Sequence, residues 1–112
     1  NGLKVSAHLF IKRSGEIIQF VPFNKRAWHA GVSTYKNRDN CNDFSIGIEL
    51  EGYHDDAYTK NQYRSLKISI KEIMTNFDKI TKENIVGHSD IAPERKKDPG
   101  SKFDWEELMI NL

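Results

Sequence analysis

The stretch from Tyr58 to Phe77 restricts the fold more than any other, because its pattern demands an amphipathic helix. Thr59 and Gln62 form a capping box, and Tyr58 and Tyr63 are placed to close the accompanying hydrophobic staple. Beyond the cap, Tyr63, Leu66, Ile70, Ile73, Met74 and Phe77 recur at helical spacing, so one apolar stripe must be buried against another layer. Strands earlier in the chain supply that layer. Val5, Ala7, Leu9 and Ile11 alternate with Ser6, His8 and Phe10, Ser14-Gly15 supplies a turn, and Glu16 to Val21 reads as a second strand, giving a hairpin. Ser45 to Gly52 is the clearest strand, and Ile85-Val86 reads as the end of a further one. Asp104 and Glu107 repeat the capping box, with Phe103 and Leu108 as staple, and predict a short terminal helix. The fold class is therefore α+β, a mixed sheet covered by helices. A chain of 112 residues suits one domain, expected to span 1–112 and to work as a monomer.

Charge and cysteine usage narrow the function classes. Seventeen basic and sixteen acidic side chains leave a net charge of +1, which provides no field to gather nucleic acid or an anionic membrane. No apolar run approaches the length of a membrane span, and the first residues given lack the apolar core expected of a signal peptide. Cys41 is the single cysteine, so an intrachain disulfide and a thiolate zinc site are both out of reach, and a reducing compartment is expected. With no histidine near it in sequence, Cys41 reads as inert. The polar segment from Ser33 to Asp43 reads as a surface loop.

Three places carry candidate chemistry. The stretch from Gly87 to Gly100 holds His88, Lys96 and Asp98 in a loop after apolar sequence. Imidazole and carboxylate suit a borderline cation such as zinc, and an ammonium can steady developing negative charge; alternatively His88 caps a strand while Lys96 and Asp98 form a solvated pair. In the strand from Ser45 to Gly52, Ile46, Ile48 and Leu50 face one way and Ser45, Gly47, Glu49 and Glu51 the other. That second face is too small and charged for core but suits a cleft floor, which makes Glu49 a candidate general base. Trp28, beside His29, is either a platform for a substrate ring or a core residue. His8 reads as a packed, hydrogen-bonded histidine rather than a ligand.

Taken together, Val5-Ser6-Ala7-His8, Arg26 to Ser33, Cys41-Asn42-Asp43-Phe44, Ser45 to Gly52 and His88 to Gly100 closely resemble the zinc-dependent N-acetylmuramoyl-L-alanine amidases. The longer blocks are similar to the cytoplasmic branch that acts on 1,6-anhydro-muropeptides during cell-wall recycling. The resemblance implies that His88 and Asp98 are two of three zinc ligands, that Glu49 is the catalytic glutamate and that Lys96 supports the transition state. Trp28 and Arg95 match positions expected to contact the muropeptide, whereas His8 and His29 match positions that are not ligands. The implied reaction is hydrolysis of the amide between the muramoyl lactyl group and L-alanine. The family's first zinc histidine ends an N-terminal strand that should precede Val5 and is absent here. The chain is accordingly expected to be part of a longer amidase. The reading from another class is a metal-free peptidoglycan-binding module using the same groove; a phage or secreted wall lysin would need a signal peptide or partner domain upstream.

Overall fold

The structure is a computed structural model and describes residues 7–52 and 56–112. Its core is a three-stranded mixed sheet covered on one face by a long helix. Strands β1 (Leu9–Ile11) and β2 (Ile17–Gln19) form the expected antiparallel hairpin, in which Lys12 N donates to Glu16 O and Gly15, at φ +94°, turns the chain. Here β5 (Ile48–Leu50) joins the other side of β1 in parallel, pairing Phe10 with Glu49. Of the strand expected from Val5 to Ile11, Val5 and Ser6 lie outside the described residues.

The helix α1 (Lys60–Asn76) starts at the predicted cap: Gln62 N donates to Thr59 Oγ1 at 3.1 Å and Thr59 N to Gln62 Oε1 at 2.9 Å. Leu66, Ile70 and Ile73 are buried, and Leu66 and Ile70 join Ile11, Phe103 and Leu108 in the main core cluster, with Ile48 and Leu50 packed against it. Gln62 is fully buried yet satisfied, since its Nε2 donates to the carbonyls of Ile11 (3.3 Å) and Glu51 (2.8 Å) at the ends of β1 and β5. The cap thus fixes the helix to the sheet as well as starting it. The short helix α3 (Trp105–Met109) follows Asp104, whose carboxylate accepts from Glu107 N at 3.0 Å, and Phe103 and Leu108 enter the core as the staple pattern requires.

Two expectations fail. Ile85-Val86 forms no strand: a 3₁₀ turn at Lys82–Asn84 precedes it, and Ile85, although extended and packed on the core, has no ladder partner among the described residues. Apolar residues supply burial, but an extended segment becomes a strand only where a neighbour offers its backbone groups. The segment Ser33–Asp43 is more than a loop. It holds a two-residue hairpin, β3 (Thr34–Tyr35) with β4 (Arg38–Asp39), and a 3₁₀ turn at Cys41–Asp43. Lys36 and Asn37 both take positive φ, the backbone of a tight hairpin turn, and Thr34 Oγ1 donates to Asp39 Oδ1 at 2.8 Å.

Candidate active site

The site lies on the sheet face opposite the α1 core. With Ile48 and Leu50 turned towards that core, alternation puts Gly47 and Glu49 on the other side. The His29 ring lies directly against Gly47, so close that a Cβ at this position would overlap it. Gly47 is also held by its backbone, its N–H donating to His8 Nδ1 (3.1 Å) and its carbonyl accepting from His8 N (2.9 Å). Gly47→Ala is therefore expected to lower stability by about 2–3 kcal/mol through overpacking, seen as a reduced denaturation midpoint with an unchanged slope.

His8 is buried and its ring is satisfied on both sides: Nδ1 accepts from Gly47, so Nε2 carries the proton and donates to Lys25 O at 2.7 Å. His29, in edge contact with His8 at 5.6 Å between ring centres, has a different environment. Ser45 Oγ donates its hydrogen to Cys41 O (2.6 Å), so it can only accept from His29 Nε2 at 2.9 Å, which leaves a buried lone pair on His29 Nδ1 with no partner among the described residues. Burial, with smaller contributions from His8 and His88, lowers the His29 pKa from 6.5 to about 4. A second proton would sit where no acceptor waits. Between those two values the unfolded chain binds more protons than the folded one. This contribution to stability is therefore complete above pH 6.5 and is lost as the pH falls towards 4. Allowing for the ring's partial exposure, about 1–2 kcal/mol should disappear. Urea unfolding at about pH 7 and about pH 4.5 should show the loss, and His29→Asn should flatten it.

His88 opens the short helix α2 (His88–Ile91) and Asp98 ends the loop after it. They are brought together by close backbone packing. A Cβ at Gly87 would meet Pro99 Cδ at 2.8 Å, and Ser89 N donates to Asp98 O at 2.9 Å. His88 Nδ1 consequently stands 3.2 Å from Asp98 Oδ2, while Nε2 lies 3.0 Å from Ala30 O. A carbonyl only accepts, so Nε2 carries a proton. Nδ1 and the carboxylate then face each other as two electron-rich groups unless a second proton or a cation lies between them. Donors on one tetrahedral zinc, each at ~2.0–2.1 Å, stand about 3.3 Å apart, close to this spacing. Among the described residues no third His, Cys, Asp or Glu joins the pair.

Of the remaining candidates, Arg95 shares a partner with His88, the Ala30 carbonyl. Arg95 reaches back to the loop at 30–32, where its Nη2 donates to Ala30 O (2.8 Å) and Val32 O (2.9 Å). Trp28 is 40% exposed, with the Arg26 guanidinium 4.1 Å from the ring centre on one face. It is therefore neither a core residue nor a ring open on both faces. Lys96 follows Arg95 in the turn after α2, its backbone N–H on Ala92 O at 2.9 Å, and its ammonium makes no hydrogen bond to the described residues. Glu49 is exposed on β5, and no hydrogen bond links it to His88 or Asp98. Cys41 is buried, in keeping with an inert thiol. Sequence reasoning does not single out Asn42 as a site residue. It is buried, and its Oδ1 accepts from both His29 N (3.0 Å) and Ala30 N (2.8 Å), which holds the backbone that His88 leans on. Its prior signs are its place in a turn-rich segment and in the block Cys41-Asn42-Asp43-Phe44 that carries the family resemblance.

Known proteins bear directly on this arrangement. The family model for N-acetylmuramoyl-L-alanine amidase matches residues 1–101. The 1,6-anhydro-N-acetylmuramyl-L-alanine amidase AmpD of Haemophilus influenzae is 55% identical over 110 residues, covering 98% of this chain and 60% of the relative. A crystal structure of a selenomethionine AmpD derivative superposes with a TM-score of 0.90 at 57% identity, over 93% of this chain and 57% of that one. The amidase AmiD from E. coli, in complex with the substrate anhydro-N-acetylmuramic acid-L-Ala-D-gamma-Glu-L-Lys, gives a TM-score of 0.88 at 36% identity, over 94% of this chain and 47% of AmiD. The chain thus spans between 47% and 60% of the length of these relatives. Over that span, in sequence and in fold, it belongs to the N-acetylmuramoyl-L-alanine amidase family.

Proposed function

We propose that the protein hydrolyses the amide between the lactyl group of N-acetylmuramic acid, in its 1,6-anhydro form, and L-alanine, in cytoplasmic recycling of cell-wall muropeptides. The observation that carries this reading is the convergence of His88 Nδ1 and Asp98 Oδ2 at 3.2 Å, with the His88 proton held on the opposite nitrogen. A neutral imidazole nitrogen and a carboxylate are donors that zinc accepts, and a catalytic zinc takes three protein ligands. His88 and Asp98 would be two of them; the third would come from outside the described residues. When bound, such an ion brings the pKa of a water towards neutrality and polarises a carbonyl.

The chain's own residues do the rest. Glu49 takes the proton of the attacking water and returns it to the departing amine of L-alanine. Lys96, whose ammonium is not engaged by the described residues, steadies the oxyanion of the tetrahedral intermediate. Trp28 offers its uncovered face to the substrate, and Arg95 keeps Nη1 and Nε for a substrate carboxylate because Nη2 is already occupied. Among the described residues no helix is long and apolar enough to cross a membrane. We further propose that the protein acts as a monomer on a small muropeptide, with no nucleic acid or membrane as partner.

One observation favours a second reading, a metal-free peptidoglycan-binding module: two donors, and no group of three, lie among the described residues. Zinc content of the full-length protein separates the two. Equimolar zinc after dialysis is expected, and a near-absent metal in zinc-replete buffer would leave the binding module as the reading.

A further inference from the structure

Ala30 is held at both of its backbone groups. Its N–H is bonded by the buried Asn42 side chain at 2.8 Å, and its carbonyl accepts from His88 Nε2 at 3.0 Å and from Arg95 Nη2 at 2.8 Å. The same Nη2 also takes the Val32 carbonyl at 2.9 Å, so both of its hydrogens are spent on the backbone. Gly31 between them takes φ +66° and is packed under the guanidinium: a Cβ there would meet Arg95 Nη2 at 2.6 Å. Gly31 and Val32 are exposed; Ser33 Oγ donates to the Gly31 carbonyl at 3.0 Å, and among the described residues the side-chain bonds to the Ala30 and Val32 carbonyls come from Arg95 and His88.

His88 lies between two acceptors, Ala30 O and Asp98 Oδ2, and a neutral imidazole has one proton to give. Given to Asp98, the proton would make a charge-assisted bond and would block Nδ1 as a donor atom for any metal. Given to Ala30, it leaves the Nδ1 lone pair aimed at the carboxylate side. The outcome depends on whether the Ala30 carbonyl stays in place. We propose that Arg95 is a positioning residue, which staples the 30–32 loop so that the Ala30 carbonyl holds the His88 proton on Nε2 and keeps Nδ1 free. This role adds to the substrate contact assigned to Arg95 above. Its metal consequence rests on the zinc reading, whereas the tautomer does not.

The test uses the full-length protein in both states. In metal-free, ¹⁵N-labelled protein at about pH 8, where an ordinary imidazole is neutral, long-range proton–nitrogen correlation reports which His88 nitrogen carries the proton. Wild type is expected to show Nε2–H as the main form. Arg95→Ala and Gly31→Ala, the latter lifting the guanidinium without removing it, should both shift His88 towards Nδ1–H. Arg95→Lys, whose ammonium can still donate to two carbonyls, should restore most of the wild-type ratio. Zinc affinity, measured by competition with a chelator, should fall about tenfold to hundredfold in Arg95→Ala. An unchanged His88 tautomer in Arg95→Ala overturns the proposal, and a raised KM with unchanged kcat would then mark Arg95 as a substrate contact alone. A shifted tautomer in a protein whose wild type takes up no zinc would uphold the positioning role and reject the metal reading.

Discussion

Glu49→Gln in the full-length protein is expected to keep wild-type zinc content and to lose about 10²–10⁴-fold in turnover. Glutamine preserves the size of the side chain and its place on β5, next to Phe10 of β1 across the parallel ladder. What it cannot do is take a proton from water and release it to an amine. Because no hydrogen bond ties Glu49 to His88 or Asp98, the substitution should remove the proposed base without disturbing the donor pair. Cleavage of an anhydro-muramoyl tripeptide, followed by chromatography, gives the rate, and elemental analysis of the same sample gives the metal. Normal turnover in this variant would remove Glu49 from the mechanism.

His88→Ala should lose both metal and activity. Among the described residues the ring is one of two donors that converge, and removing a proposed ligand should cost more than the tenfold to hundredfold lost when a partner behind a ligand is deleted. The fold should survive. His88 lies outside the cluster of Ile11, Leu66, Ile70, Phe103 and Leu108, and its loop is fixed independently by the Ser89–Asp98 backbone bond and by Gly87 against Pro99. Circular dichroism would confirm the helix content, and zinc retained at the wild-type ratio would count against His88 as a ligand. The contrast between the two variants separates binding the metal from using it.

The sequence made some of this legible, and the reasons differ by element. Thr59, Gln62 and the stripe from Leu66 to Ile73 act through local geometry, and each appears where the spacing put it. The opposition of Ile48 and Leu50 to Gly47 and Glu49 follows from strand alternation alone, so the two faces of β5 could be told apart in advance. That His88 and Asp98 meet depends on a tight backbone approach at Gly87 and Pro99, which spacing does not reveal; the family resemblance carried that expectation. The hairpin at 34–39 went unseen because its strands are short and mostly exposed, with no apolar alternation to mark them. Ile85-Val86 misled in the opposite way, since burial of β-branched residues resembles a strand until the pairing is examined. Asn42 and Arg95 act on backbone carbonyls and amides across the fold, contacts that leave no periodic trace in a sequence.

The loop that presents His88 and Asp98 is also part of the packed interior on its far side. Trp105 lies within 3.4 Å of where a Gly87 Cβ would stand, the Trp105 ring meets that of Phe103 edge-on at 4.8 Å, and Phe103 is core. Tyr58, at the start of α1, donates to Pro99 O at 2.8 Å. An occupant of that loop binds the folded chain and not the unfolded one, so its affinity is written into the melting curve. At a hundred times its dissociation constant, an occupant adds about 2.7 kcal/mol to the stability of the whole. A simple thermal-shift screen of ions and sugar-peptides would then rank occupants before any catalytic assay is in hand.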